Sequence, residues 1–296
     1  MPLSKVRETA KRIKEMKIQG AVSISLAAAQ AMEHFIKSSK AKTRKEFIAK
    51  LEEAASILID SRPSAVALPN AVREYVAKVS EIEAEPPKLK KEALRIGRAL
   101  VKEITESVDI IGKFGAVEVK DGMNILIHCH SSTVMAVLKQ AWRNGKRFEV
   151  YCTETRPWGQ GYVSASELSN YGIPTRLIVD SAATRFMQQG IDLVLVGADT
   201  VTKEKSVVNK IGTSQLAIVA QKLKIPFYVA TETLKFDSSR TADEVEIEER
   251  PADEIIRRDQ LPNVKIRNPV FDITPAERIH RFITEDGVLQ PGEIDI

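Results

Sequence analysis

Cysteine is scarce in this chain: Cys129 and Cys152 are the only two in 296 residues. They lie in separate apolar, strand-like runs with no CxxC spacing, which argues against a structural disulfide and for a reducing interior. Long apolar runs are also missing. No stretch approaches the roughly 18 residues that cross a bilayer, and the start, Met1-Pro2-Leu3-Ser4-Lys5, lacks the grammar of a secretory signal. Charge of one sign is absent too. With 44 basic and 40 acidic residues the net charge is +4, spread along the chain and too weak and mixed to favour nucleic acid or membrane as a partner. There is no internal repeat and no low-complexity segment. These absences predict a soluble, cytoplasmic protein.

What is present is a globular composition, 43% hydrophobic and 28% charged, long enough for one large domain or two ordinary ones. The two halves differ. Before Gly112 the only glycines are Gly20 and Gly97. Apolar residues there recur three or four apart, as in Ile24, Ala27, Ala28, Ala31 and Phe35, and in Phe47, Leu51, Ala54, Ala55 and Leu58, which predicts helices. Pro63, Pro69, Pro86 and Pro87 punctuate them, and Ala93 to Ile111 reads as a long amphipathic helix. After Gly112, short and often β-branched runs appear at 124–127, 148–152, 175–179, 193–196 and 226–230. Helical patterns at 133–143, 165–171, 183–189 and 213–223 separate them. Alternation of this kind predicts βαβ units and a parallel sheet. The tail holds a possible edge strand, Val245-Glu246-Ile247, followed by Pro-bearing loops. The reading is α/β: an N-terminal helical domain over residues 1–112, then a Rossmann-like parallel-sheet domain over 113–296 that carries most of the site.

In such a sheet, side chains at the strand carboxyl ends face the crevice where ligands bind. The run Ile125-Leu126-Ile127-His128 ends in Cys129, and Leu193-Val194-Leu195-Val196 leads through Gly197-Ala198 to Asp199. A thiol and a carboxylate at two such ends could form a proton-transfer pair. The plainer alternatives are an inert cysteine and a turn-forming aspartate. Against the first, Ser131-Ser132-Thr133 reads as an N-cap cluster that puts Cys129 just before a helix start, where a thiol pKa is lowered. Against the second, 200–205 looks like a hairpin or loop rather than a helix. His128 and His130 flank the thiol and, in extended chain, would point away from it. No third ligand stands at a useful spacing, so they read as hydrogen-bonded positioning residues rather than a zinc site.

Other pieces suggest anion binding. Asn209-Lys210-Ile211-Gly212-Thr213 opens a helix, where free N–H groups and a cation together make a phosphate site. Arg156-Pro157-Trp158-Gly159-Gln160-Gly161 is a stiff loop whose Arg156 could bind phosphate bidentately and whose Gln160 could bind sugar hydroxyls; it could equally be a surface turn. Lys235 follows the strand ending at Ala230, on the same edge as Cys129 and Asp199, though a solvated lysine is the default. In the helical half, Lys17-Ile18-Gln19-Gly20-Ala21 is a glycine break between helices and Ser61-Arg62-Pro63-Ser64 sets an arginine in a proline-fixed turn. Lys88-Leu89-Lys90-Lys91 reads as a solvated helix face.

Taken in order, Ser61-Arg62-Pro63-Ser64-Ala65-Val66, His128-Cys129-His130-Ser131, Thr155-Arg156-Pro157 with Gln160-Gly161, Gly197-Ala198-Asp199 and Asn209-Lys210-Ile211-Gly212-Thr213 resemble the sugar-phosphate aldose–ketose isomerases related to translation initiation factor 2B. The resemblance covers nearly the whole chain. It implies that Cys129 and Asp199 are the catalytic pair, that Asn209, Lys210 and Lys235 hold substrate, and that ribose 1,5-bisphosphate becomes ribulose 1,5-bisphosphate in nucleotide salvage with no metal or redox cofactor. One departure is Gln19, which stands where some of these isomerases carry Arg. Gln19, Gly20 and Ala21 are thus expected in a substrate loop, with phosphate left to Arg62, Arg156, Lys210 and Lys235. The resemblance also implies a homo-oligomer, dimer or hexamer, and AMP as an activator. Its relatives supply two alternatives: methylthioribose-1-phosphate isomerase, and a non-catalytic regulatory subunit of an initiation-factor exchange complex. Such subunits generally lack the cysteine.

Overall fold

A computed structural model describes the chain apart from residues 1, 2, 16, 19, 62–65, 262 and 296 and the side chains of Ala21 and Arg258. Two compact units result, Met1–Glu106 and Ser107–Ile296. The first is helical: α1 (Ser4–Lys14), α2 (Ala21–Ser38), α3 (Arg44–Ile59), α4 (Ala67–Ser80) and most of α5 (Pro86–Glu118). The spacing read from the sequence buries Ile24, Ala28, Ala31 and Phe35 of α2 and Phe47, Leu51, Ala54 and Leu58 of α3 in one core. Phe35 stacks on Phe47 there, with ring centroids 6.5 Å apart. At the start of α3 the Thr43 hydroxyl accepts the Glu46 N–H, 3.2 Å, satisfying a donor that has no partner inside the helix. Pro86 and Pro87 open α5, and Pro69 lies within the first turn of α4 rather than between helices. The first turn is the one place where a missing N–H costs a helix nothing.

Helix α5 does not stop near Gly112; it runs on to Glu118. Its two late glycines are packing positions, not breaks. A Cβ on Gly115 would lie 2.4 Å from a Val137 methyl carbon, and one on Gly112 would lie 3.1 Å from the Ala136 carbonyl oxygen. The Lys146 ammonium then closes the helix by donating to the carbonyls of Ala116 (2.7 Å), Val117 (3.3 Å) and Val119, where the helix dipole favours a cation.

The second unit holds a seven-stranded sheet flanked by α6 (Ser132–Arg143), α7 (Gln160–Asn170), α8 (Ala183–Gln188) and α9 (Thr213–Leu223). Its strands are β1 (Asn124–Ile127), β2 (Glu149–Thr153), β3 (Thr175–Ile178), β4 (Leu193–Val196), β7 (Phe227–Ala230), β9 (Arg281–Thr284) and β10 (Gly287–Leu289). The spatial order is β10-β9-β7-β4-β1-β2-β3, parallel throughout except for β10. Ile125 and Ile127 pack on one face of the sheet and Leu126 on the other, the two-residue period of a strand buried on both sides. A smaller antiparallel sheet, β5 (Thr200–Val201), β6 (Val207–Lys210) and β8 (Phe271–Thr274), stands beyond the carboxyl end of β4.

The tail departs from the sequence reading. Residues Val245-Glu246-Ile247 form no strand; the contact there is a single bridge between Glu249 and Pro269. Pro269 has no N–H to donate, so a ladder cannot continue through it. The loops expected after it contain β8, β9 and β10, whose runs of three or four residues between prolines and turns carry too little periodicity to read as strands.

Candidate active site

Strand order decides where the site lies. From β1 the chain moves outward through β2 to β3; it then returns to the other side of β1 and moves outward through β4, β7 and β9. The gap between β1 and β4 is therefore the topological switch point, the place where open α/β sheets bind ligands. Cys129 and Asp199 follow those two strands. Ile127 pairs with Leu195; the thiol is two residues past the end of β1 and the carboxylate three past the end of β4. The loops that carry them touch, since a Cβ on Gly197 would lie 2.5 Å from the Ser131 hydroxyl oxygen. Ser131 is the N-cap of α6 and accepts the Val134 N–H at 3.5 Å, as the Ser-Ser-Thr run implied.

Cys129 is half-buried and has φ 67°, the left-handed region that costs an ordinary residue about 1–3 kcal/mol. Two hydrogen bonds hold it there. Its N–H donates to the Thr155 hydroxyl, 2.9 Å, and its carbonyl accepts from the Ser164 hydroxyl, 3.0 Å. Thr155 is itself left-handed, φ 60°. Asp180 braces that turn by accepting the N–H groups of Thr155 and Arg156, each at 2.8 Å. The left-handed residue cancels the extended-chain alternation, so the histidine directions expected from it do not apply. His128 is buried, with Nδ1 2.7 Å from the Thr153 hydroxyl and Nε2 2.8 Å from the Ile211 carbonyl oxygen. A carbonyl only accepts, so Nε2 carries the proton and Nδ1 accepts from Thr153. Burial lowers the His128 pKa below its usual 6.5, against the opposing Ile211 bond. His130 is lowered by burial as well, and its Nδ1 donates to Ser164, 3.0 Å. Both histidines are hydrogen-bonded within the fold.

Asn209 and Lys210 lie in β6, not in a loop, and both are buried. The Asp199 N–H donates to the Val208 carbonyl, 3.0 Å, which brings β6 up to the carboxylate's loop. Asn209 Nδ2 donates to Thr213, 3.0 Å. The Lys210 ammonium sits 5.5 Å from the centre of the Phe271 ring, and among the described residues no carboxylate pairs with it. The anion site expected at the start of α9 needs correction. Its Gly212 and Ser214 N–H groups donate to the carboxylate of Asp272 in β8, 2.7 and 3.0 Å, so the protein's own side chain fills the helix end. Burial pushes the Asp272 carboxyl up to about 6, against those two bonds.

Lys235 is not a solvated lysine. It is buried, with its ammonium 2.7 Å from Glu232, an ion pair by distance whose angles are not those of a hydrogen bond. Arg156 is exposed and turns its guanidinium to the Ile255 carbonyl, 3.2 Å. Gln160 opens α7, and its Oε1 is buried without a partner among the described residues, as is the Thr231 hydroxyl at the end of β7. In the helical unit Gly20 caps α2 with φ 81° and Ala21 begins that helix; Gln19 and Arg62 fall outside the described residues. Cys152 is buried in β2, its thiol pushed up to about 12, and neither cysteine is in a disulfide.

The sheet edge thus gathers Cys129, Asp199, Asn209, Lys210 and Lys235. Sequence reasoning gave no part to Thr153, Thr155, Ser164, Asp180, Glu232 or Asp272. The Thr-Glu-Thr run at 153–155 was the one local hint, because two hydroxyls follow directly on a predicted strand.

Comparison with known proteins shows what the whole chain is similar to. A model described as the Initiation factor 2 subunit family matches residues 17–291. A ribose 1,5-bisphosphate isomerase of Methanocaldococcus jannaschii is 43% identical over 288 residues, 97% of this chain and 92% of that protein. The crystal structure of a Pyrococcus horikoshii translation initiation factor eIF-2B is similar with TM-score 0.85 and 30% identity, covering 97% of this chain and 98% of that one. A 5-methylthioribose 1-phosphate isomerase structure from the same organism gives TM-score 0.80 and 33% identity, covering 98% and 85%.

Proposed function

The chain belongs to the Initiation factor 2 subunit family, and from that premise we propose that it is an aldose–ketose isomerase converting ribose 1,5-bisphosphate to ribulose 1,5-bisphosphate. The observation that carries the reading is the thiol and carboxylate at the switch point between β1 and β4, with the buried lysines 210 and 235 on the same edge. Lys210, which no described carboxylate pairs, suits one phosphate, and Lys235 suits the other if it exchanges Glu232 for it. The name of the 43% identical relative supports the same choice.

The chemistry balances within the pair. The Cys129 thiolate takes the C2 proton while the Asp199 carboxylic acid protonates the ring oxygen as the C1–O bond breaks. The C2–H electron pair becomes the C1=C2 bond of an enol phosphate. The enol O–H then returns its proton to Asp199, the C2 carbonyl forms, and the thiol delivers its proton to C1. Hydrogen has moved from C2 to C1, and both groups end as they began. General acid–base transfer of this kind contributes roughly 10²–10⁴-fold. Gln160 Oε1 and Thr231 Oγ1, which have no partner among the described residues, are suited to substrate hydroxyls, because a buried polar atom left unpaired costs about 1–3 kcal/mol. The resemblance to the isomerases supports the finer parts: nucleotide salvage, activation by AMP, a dimeric or hexameric assembly and a cytoplasmic setting.

The test is to incubate the purified protein with the bisphosphate and follow the ketose. Cys129→Ser should lower kcat by about 10³-fold or more, whereas near wild-type turnover in that variant would remove the thiol from the mechanism. The rival reading, a regulatory subunit without catalysis, is favoured by the eIF-2B structure at TM-score 0.85. It requires that the wild-type protein leave the sugar unchanged. Competition between the bisphosphate and methylthioribose 1-phosphate separates the two isomerase activities.

A further inference from the structure

The peptide unit joining Ile211 to Gly212 is gripped at both ends. Its carbonyl accepts from His128 Nε2, 2.8 Å, and its N–H donates to Asp272 Oδ2, 2.7 Å. A second bond, from the Ser214 N–H to Asp272 Oδ1, 3.0 Å, fixes the carboxylate across the first turn of α9. In a trans peptide the C=O and N–H point opposite ways, so carboxylate, peptide and imidazole form one line. An anion on the N–H side polarises the peptide and strengthens the carbonyl as an acceptor. The line continues beyond His128. Its Nδ1 accepts from Thr153, 2.7 Å; the Thr153 and Thr155 hydroxyls are 3.3 Å apart; and Thr155 receives the Cys129 N–H, 2.9 Å. Gly212 is what lets the imidazole reach the peptide, since its φ is +105° and a Cβ there would lie 3.1 Å from the His128 ring.

We propose that Asp272 is a positioning residue for the Cys129 site, acting through the Ile211–Gly212 peptide to hold His128 in its Nε2–H form and thereby the Thr153–Thr155 support of the thiol's left-handed turn. No neighbour in sequence could do this: Asp272 comes from β8, 60 residues from Gly212. It also explains why a carboxylate is buried where a phosphate was expected. The helix end is used internally, and the ammonium of Lys210, the last residue of β6, stays unpaired with any described carboxylate.

The inference rests on the isomerase reading, and the two fail separately because one readout needs no substrate. Label the four histidines with ¹⁵N and assign His128 by its loss in His128→Gln. Wild type should show a single neutral Nε2–H imidazole. In Asp272→Asn, an amide of the same shape, one N–H meets an NH₂ donor in place of an oxygen, and the His128 signal should move to mixed or exchanging tautomers. Asp272→Ala should do the same, and formate at high concentration should restore the wild-type signal by refilling the cradle. With ribose 1,5-bisphosphate, kcat should fall on the order of a hundredfold while KM stays within about twofold, because Asp272 does not touch substrate. Formate should recover much of that loss. Unchanged His128 resonances together with wild-type kcat in Asp272→Asn would overturn the proposal. So would a folded Asp272→Ala that formate fails to rescue in either readout. If wild type proves inactive on the sugar, the isomerase reading falls and the His128 spectra alone decide this one.

Discussion

Cys129 is held in a conformation that its side chain disfavours, and two hydroxyls meet the cost. Each neutral hydrogen bond is worth about 1 kcal/mol net, against roughly 1–3 kcal/mol for a non-glycine residue in the left-handed region. The balance is close enough that one bond matters. Ser164 is fully buried and serves two groups, the Cys129 carbonyl and His130 Nδ1. Ser164→Ala should therefore lower stability by about 1–2 kcal/mol and kcat by roughly tenfold or more. Urea denaturation and steady-state kinetics measure both. A variant with wild-type kcat would show that the turn holds without Ser164. The residues themselves were legible to different degrees. Cys129 and Asp199 could be read because each closes an apolar run. Ser164 could not, because its partner is 35 residues away and nothing local distinguishes a serine in a helix that donates to a loop.

At the scale of elements, the β2–α7 connection is the tightest joint in the site. Gly161, in the first turn of α7, lies so close to β2 that a Cβ would sit 1.7 Å from the Thr153 carbonyl oxygen. Its N–H donates to the Glu154 carbonyl, 3.1 Å, locking helix start to strand end. Gly161→Ala must push α7 away from β2, carrying Thr153 and Thr155 from their partners. We expect a loss on the order of 3 kcal/mol by denaturation, with isomerase activity falling more steeply than the folded fraction. Near-normal stability in that variant would mean the joint opens without strain. Strands β1 and β4 and helix α9 were readable to the residue, because burial on both faces and amphipathic spacing are local patterns. Strands β8, β9 and β10 were not, and Val245–Ile247 misled because a β-branched run is no strand without a partner that can donate.

For the whole molecule, buried His128 and half-buried His130 shape how stability depends on pH. His128 and His130 both have pKa values lowered by burial from the usual 6.5, so the unfolded chain takes up protons first as the pH falls. Their contribution is fully present above pH 6.5 and is lost as the pH drops below it. Asp272 works the other way. Its carboxyl is raised from 3.8 to about 6, so the stability it contributes is present below 3.8 and is lost as the pH rises through about 6. The clean test is a difference: the unfolding midpoint of wild type minus that of His128→Gln, measured from pH 8 to pH 5. That gap should narrow as the pH falls through 6.5. A constant or widening gap would show that His128 is not held neutral by the fold.

The sequence by itself determined many of the elements and the chemical groups near their ends: a helical first half, βαβ alternation in the second, a thiol after β1, a carboxylate after β4, a lysine before α9 and another after β7. Those features depend on periodicity and composition within a dozen residues. Only the tertiary structure decided that β1 and β4 are neighbours with the chain diverging on either side of them, that Cys129 is left-handed, and that a carboxylate from β8 occupies the end of α9. Strand order and caps of this kind are set by contacts between residues tens of positions apart, where packing and hydrogen-bond satisfaction choose among arrangements that local pattern leaves equal.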